Sequence, residues 1–191
     1  IQSPRSSGSI LKPFLYARAV ETGIMHPATL LTDIPISISK FSPSNFDNTF
    51  EGVVRAGDAL SRSLNIPATL LLRDYGIVPF SEDLQNLGFR SLNRPAGNYG
   101  LTLILGGAEV TLWNLAKAYS HQAIALNEYG ETSSLPGLKL WDNTERFETL
   151  ESTIDLGAWW LITEELTNVQ RPYLDMHWKR FSSSRKIAWK T

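Results

Sequence analysis

The chain has 191 residues, enough for one domain with a sizeable core, and its 42% hydrophobic and 19% charged content argues against a disordered segment. Its 18 basic residues meet 19 acidic ones for a net charge of -1, which offers no basic face to a phosphate backbone and argues against nucleic-acid binding. Cysteine is absent, which excludes disulfides, thiolate catalysis and Cys-ligated zinc and fits either redox compartment. No apolar run approaches the ~20 residues that span a bilayer. The chain opens on Ile1 and stops on Lys190-Thr191, just after a strand-like run, so both ends are expected to be cuts within a longer protein.

Ser6-Ser7-Gly8-Ser9 opens a helix predicted from Ser9 to about Thr22, stopped by Gly23. Pro13 places its start, because a proline is cheap only where backbone N–H groups lack intrahelical partners. Met25 to Glu51, with prolines at 27, 35 and 43, reads as an extended, loop-rich segment. Val53, Ala56, Leu60 and Leu64 then repeat at helical spacing, predicting a helix that ends near Asn65 because Ile66 precedes Pro67. Pro67 starts another through Leu72, closed by Gly76, and Ser81-Glu82-Asp83 caps a short helix ended by Gly88.

Asn98-Tyr99-Gly100 reads as a turn, and Gly106-Gly107 as another before a helix from Thr111 to Leu126 with Leu112, Leu115, Ala116 and Tyr119 inward. Residues 127–143 read as loop. Ser152 or Thr153 caps a helix to Thr167 carrying Leu156, Trp159, Trp160, Ile162 and Leu166. The alternation from Lys186 to Thr191 predicts a strand. The expected whole is mostly helical, with little sheet.

The chemistry starts at Ser9-Ile10-Leu11-Lys12, since a serine and a lysine three apart on a helix share a face. A lysine stripped of water, or set beside another cation, gives up its proton near neutral pH and can then take one from the serine. An unpaired Ser9 N–H at the helix start could donate to an oxyanion, aided by the helix dipole. Ser37-Ile38-Ser39-Lys40 and Ser183-Ser184-Arg185-Lys186 share the spacing, so by spacing alone Ser9 reads as a helix cap and Lys12 as a solvated lysine. Ser63-Leu64-Asn65 at a helix end could supply a proton-relaying hydroxyl and an orienting amide; Ser91-Leu92-Asn93 repeats the tripeptide, and each alone reads as a turn. Lys190-Thr191 at a strand end offers a cation and a hydroxyl for a carboxylate.

Taken in order, Ser-x-x-Lys, Ser-x-Asn and Lys-Thr make the three-part arrangement of penicillin-binding proteins and serine β-lactamases. Gly8-Ser9-Ile10-Leu11-Lys12-Pro13-Phe14-Leu15-Tyr16 resembles the active-serine segment of bifunctional, class A penicillin-binding proteins. So do Pro43-Ser44-Asn45-Phe46-Asp47 with Gly52, Ala59 to Ala68, and Tyr99 to Leu112. Lys186-Ile187-Ala188-Trp189-Lys190-Thr191 is similar to the penicillin-binding protein 1C subgroup. The resemblance covers nearly the whole chain and selects Ser9 and Ser63 over the repeats. Ser7 replaces a usual proline, Ser120 to Leu126 lacks an Asn-Gly-Gly, and the glycine after Lys190-Thr191 is missing.

The resemblance implies an α/β (α+β) serine transpeptidase / β-lactamase-like fold, with residues 1–191 a partial transpeptidase domain truncated at both ends. It implies Ser9 as nucleophile, Lys12 as general base, Ser63 as proton relay, Asn65 holding Lys12 and the substrate amide, and Lys190 and Thr191 binding the terminal carboxylate. The implied reaction is D,D-transpeptidation of peptidoglycan stem peptides, with a D-Ala-D-Ala donor and an amine acceptor, blocked by β-lactam antibiotics. No metal or organic cofactor is implied. The implied location is the extracytoplasmic (periplasmic) face of the bacterial inner membrane, with membrane contact only through an anchor outside these residues. A D,D-carboxypeptidase, a β-lactamase-type hydrolase and a catalytically inactive scaffold or binding module stay open as alternatives. With a second oxyanion donor and most of the sheet expected beyond Thr191, the full-length parent is expected to be active and the isolated stretch inactive. His26, His121 and His177 show no ligand spacing, and Trp159-Trp160 reads as core packing. Tyr173 to Phe181 reads as a solvated edge near the cleft.

Overall fold

In the computed structural model, the described residues are 3–39, 41–127, 154–168 and 187–190. Helix α1, Lys12–Glu21, is the centre of the core: Leu11, Phe14, Leu15, Tyr16, Ala17 and Ala19 have no solvent exposure. Its regular start is three residues later than predicted, because Ser9 to Leu11 form a tighter turn with bonds from Ile10 N–H to Ser7 O and from Lys12 N–H to Ser9 O (both 3.2 Å). Pro13 lies at the helix start, where its missing N–H costs nothing, and Thr22 and Gly23 (φ +73°) end the helix as expected.

Two short antiparallel ladders frame the helices. Strand β1, Arg5–Ser6, pairs with β4, Glu109–Val110; β2, Leu30–Asp33, pairs with β3, Gly52–Arg55, with Asp33 opposite Gly52. Val53 therefore belongs to a strand and not to the predicted helix. Only Val54 of β3 is buried, and the helical spacing starts in earnest at Ala56. Helix α2, Ala56–Ser61, is followed by α3, Asn65–Tyr75, with Pro67 in its first turn and Gly76 at its end.

Helix α4, Ile77–Asn86, begins straight after Gly76 (φ +106°), so Ser81 is a buried mid-helix residue rather than a cap. Pro79 in the first turn is the start signal that outranks Ser-Glu-Asp. Asn98 and Tyr99 lie in the short helix α5, Ala96–Tyr99, which runs into a 3-10 helix, Gly100–Leu105, where a turn was predicted.

Helix α6, Leu112–Asn127, buries Ala118, His121, Gln122 and Ala125, with Leu115 and Tyr119 against the core, while Leu112 is exposed and so is Ala116. The inward stripe follows the side that meets Phe14 and Trp159. Helix α7, Leu156–Thr167, is capped by Asp155, whose carboxylate accepts from Ala158 N–H (2.9 Å); Ser152 and Thr153 lie outside the described residues. Trp159 stacks on Phe14 (5.2 Å, 27°), as core packing requires, whereas Trp160 is exposed.

Residues 128–143 and 173–181, each predicted as loop or edge, lie outside the described residues, as do Lys186 and Thr191. The four residues Ile187–Lys190 form no strand; Trp189 N–H instead donates to Leu166 O (3.0 Å) at the end of α7. Among the described residues no helix is long and apolar enough to cross a membrane.

Candidate active site

Lys12 is the first residue of α1 and its side chain is wholly buried. Its amine donates to Ser63 O (2.8 Å), Leu64 O (3.1 Å) and Asn65 Oδ1 (2.8 Å), with Ser63 Oγ at 3.4 Å. The Ser63–Asn65 segment can wrap one amine because of how α2 ends. Ser63 N–H bonds to Leu60 O (3.0 Å) and Leu64 N–H to Ala59 O (2.9 Å), the paired bonds of a Schellman terminus. Leu64 packs with Ala59 and Val54 beside it.

That terminus needs a left-handed residue, and Ser63 fills it at φ +61°. Glycine is the usual occupant, and a side chain there costs about 1–3 kcal/mol. The observed strain turns the Ser63 carbonyl onto Lys12 and keeps a hydroxyl beside it. The next residues turn at once into α3, so Asn65 leaves the same corner with its amide facing the same amine.

Burial first, and the positive charge of Lys190 second, push the Lys12 amine down from 10.5 to about 6. The surrounding oxygens act against that shift, since a neutral amine can fill only two acceptors. Lys190 is itself lowered to about 7 by burial. The structure thus brings the two lysines close enough to feel each other, with Lys190 carried there along the end of α7. Thr191 lies outside the described residues.

Ser9 lies in the turn that enters α1, half-buried where Lys12 is fully buried. Gly8, at φ +54°, sets the turn, and a Cβ on the facing Gly106 would sit 3.1 Å from the Gly8 backbone and 2.6 Å from Ser6 Oγ. Among the described residues, neither the N–H nor the hydroxyl of Ser9 has a hydrogen-bond partner. All the Lys12 amine bonds go to residues 63–65, so Ser9 and Lys12 share a turn without a bond between their side chains. Such bonds commonly close only when substrate binds. Tyr119 on α6 pins the turn from behind by donating to Ile10 O (2.6 Å). Ser7 N–H donates to Ala108 O (2.8 Å), a bond that a proline there could not make.

The competing matches are elsewhere. Ser37 accepts a bond from Ser42 on an exposed loop and Lys40 lies outside the described residues, as does Ser183 to Lys186. Ser91 has a buried hydroxyl with no partner and does not approach Lys12. His121 is buried in α6 with neither ring nitrogen paired, His26 Nδ1 accepts from Ala28 N–H (3.2 Å), and His177 is outside the described residues. Sequence reasoning missed Tyr119, Asp33 and the contacts of Ser44 and Asn45, although Pro43 to Asp47 was a visible motif.

No protein-family model matches the chain. Its fold is that of the serine transpeptidases of penicillin-binding proteins: the crystal structure of penicillin-binding protein 1A from Haemophilus influenzae superposes with a TM-score of 0.68 and 23% identity, over 99% of this chain and 32% of that one. All 191 residues align with penicillin-binding protein 1C of Escherichia coli (strain K12) at 35% identity, spanning 23% of that protein. Penicillin-binding protein 1A of Neisseria meningitidis serogroup A matches at 33% identity over 127 residues, 63% of this chain and 15% of that protein. The chain is a homologue of the class A penicillin-binding proteins 1C and 1A, and it spans about a quarter or less of these curated relatives.

Proposed function

We propose that this chain carries the acylating centre of a peptidoglycan D,D-transpeptidase acting at the extracytoplasmic (periplasmic) face of the bacterial inner membrane. The observation that carries the reading is the buried Lys12 amine, held by Ser63 and Asn65 one turn from the Ser9 hydroxyl, which has no partner among the described residues. Ser9 Oγ attacks the carbonyl between the two terminal D-alanines of a donor stem, and its proton passes to Lys12 Nζ. The tetrahedral oxyanion meets the Ser9 N–H, which has no partner among the described residues, as one donor of a pair.

Collapse breaks the peptide C–N bond. The departing D-alanine amine takes a proton from Lys12 by way of the Ser63 hydroxyl. Asn65 holds Lys12 and the substrate amide, while Lys190 and Thr191 receive the terminal carboxylate. An amine from a neighbouring stem then attacks the Ser9 ester and loses its proton to Lys12; the Ser9 Oγ–carbonyl bond breaks, Lys12 returns the proton to Ser9 Oγ, and the amine leaves with the acyl group as the cross-link. A β-lactam enters by the same first step, opening its ring C–N bond and leaving Ser9 acylated. Side chains and backbone supply all of this chemistry without a cofactor.

The test is intact mass of the full-length protein after incubation with benzylpenicillin. The expected result is a gain of one drug that vanishes in Ser9→Ala. A full adduct on Ser9→Ala would sink the assignment. Rapid loss of the adduct as opened drug would move the reading to a β-lactamase-type hydrolase, since only the acceptor in the second step differs.

A further inference from the structure

We infer that Asp33 and Asn45 are positioning residues for acylation, acting in series through Asn65 on the Lys12 amine; the inference rests on the roles of Ser9 and Lys12 proposed above. It starts from the orientation of one amide. Asn65 Oδ1 accepts from Lys12 (2.8 Å) while its Nδ2 donates to Ser44 O (2.8 Å). A lysine amine must face the oxygen and a carbonyl must face the nitrogen, so the two neighbours demand the same orientation independently. One Nδ2 proton remains for a substrate carbonyl.

The backbone of Asn65 is held by the adjacent residue of the same loop. Helix α3 has Leu64 at its N-cap and no side-chain cap of its own. Asn45 Oδ1 takes that place from twenty residues upstream, accepting from Asn65 N–H (2.8 Å) with Ile66 N–H at 3.4 Å. Asn45 is 2% exposed, and its Nδ2 gives its protons to Asp33 Oδ1 (2.7 Å) and Thr49 O (2.9 Å). Asp33 has no exposure, and its other oxygen accepts from Glu51 N–H (3.0 Å). A carboxylate so buried is costly unless each oxygen is bonded, and here both are.

The links from carboxylate to amine are each 2.7–2.8 Å, and neither amide in the series has a spare orientation. Loosening Asn45 therefore frees both the backbone and the amide of Asn65, and with them one anchor of the base. A displacement of about 1 Å at a reacting centre can cost on the order of 100-fold in rate.

The experiment uses the full-length protein with Asn45→Ala, with Asn45→Asp, and with Asn45→Asp combined with Asp33→Asn. A fluorescent penicillin counts acylatable sites, and the acylation rate constant per counted site is measured at about pH 8.5, above the titration of Lys12. Asn45→Ala is expected to lower that rate constant about 10- to 100-fold, with non-covalent drug affinity changed less than about 3-fold. Asn45→Asp sets two carboxylates face to face and should do the same. The double exchange should recover part of that loss and exceed the Asn45→Asp rate at least about 3-fold, because the amide placed at position 33 can donate to the carboxylate at 45 while Thr49 O still lacks its donor.

Fewer sites or a lower Tm with an unchanged rate per site in Asn45→Ala would show a merely structural role and overturn the inference, as would failure of the double exchange to recover. If Ser9→Ala were still acylated, the parent assignment would fall and this inference with it. An inert Ser9→Ala beside an unchanged Asn45→Ala rate would remove the positioning role alone.

Discussion

Helix α1 faces two surroundings that are equally dry and chemically opposite. On one side Phe14 stacks on Trp159 and lies against Phe89 and Tyr119. Two residues earlier Lys12, equally unexposed, is ringed by oxygens from Ser63, Leu64 and Asn65. Burial works in opposite directions on the two sides. Removing a large apolar side chain from water stabilises the fold by about 1.5–3 kcal/mol, whereas removing an amine from water shows up as a pKa lowered to about 6. The apolar side packs the helix into the core, and the polar side holds a buried amine among oxygens. Substitutions on the two sides should therefore fail in different ways.

The largest expected effect tests that separation directly. Lys12→Met should lower the acylation rate per titrated site by about 100- to 10,000-fold, the usual worth of a positioned base. Trp159→Ala should lower the free energy of unfolding by about 3–5 kcal/mol, through lost transfer energy and the cavity left against Phe14. Its rate per remaining acylatable site should stay within a few fold. Denaturant unfolding and drug-binding kinetics on the same samples decide it, and equal loss of both properties in both variants would erase the distinction.

The pH dependence sharpens the comparison. The folded-state pKa of Lys12 is depressed below its ordinary value of 10.5 to about 6, so between those values the unfolded chain holds a proton that the folded chain lacks. Stability must therefore rise with pH through that window, by at most about 1.4 kcal/mol per pH unit for this group, and the gain is lost as pH falls toward 6. Lys190, lowered to about 7, contributes with the same sign. Lys12→Met should flatten the slope, read from urea midpoints between pH 6 and 10, whereas Trp159→Ala should shift the curve without changing its tilt. Acylation should fall off below about pH 6.

The smallest effect is local. Asp155→Ala removes the bond to Ala158 N–H (2.9 Å) that starts α7 and should cost about 1 kcal/mol of stability. Acylation per site should not change, because the cap lies on the far end of α7 from the Leu166 contact that carries Lys190.

Much of the helical framework was legible in the residues. Pro13, Gly23, Gly76 and Gly88 are strong local signals because each restricts or frees one backbone torsion, and the helices end where they say. The start of α4 was misread because Ser-Glu-Asp imitates a cap, while the true start belongs to Gly76 and Pro79. Strands β2 and β3 were hidden because each is four residues long and mostly exposed, so neither propensity nor periodicity marks it. The Ser9–Lys12 spacing was visible; its superiority over Ser37 and Ser183 came from the order of motifs and the family resemblance.

By itself the sequence determined where several helices stop, at Gly23, Gly76 and Gly88, and that Ser9 and Lys12 lie three residues apart, since those depend on neighbours a few residues away. Only the tertiary structure decided what Lys12 is chemically. Its lowered pKa comes from burial and from Lys190 at the other end of the chain, and its anchors come from a corner 51 to 53 residues downstream. That corner is in turn held by Asn45 from its loop and, behind it, by Asp33 at the end of β2. Desolvation and charge act through space between residues far apart in the chain, so no local pattern of residues can carry them.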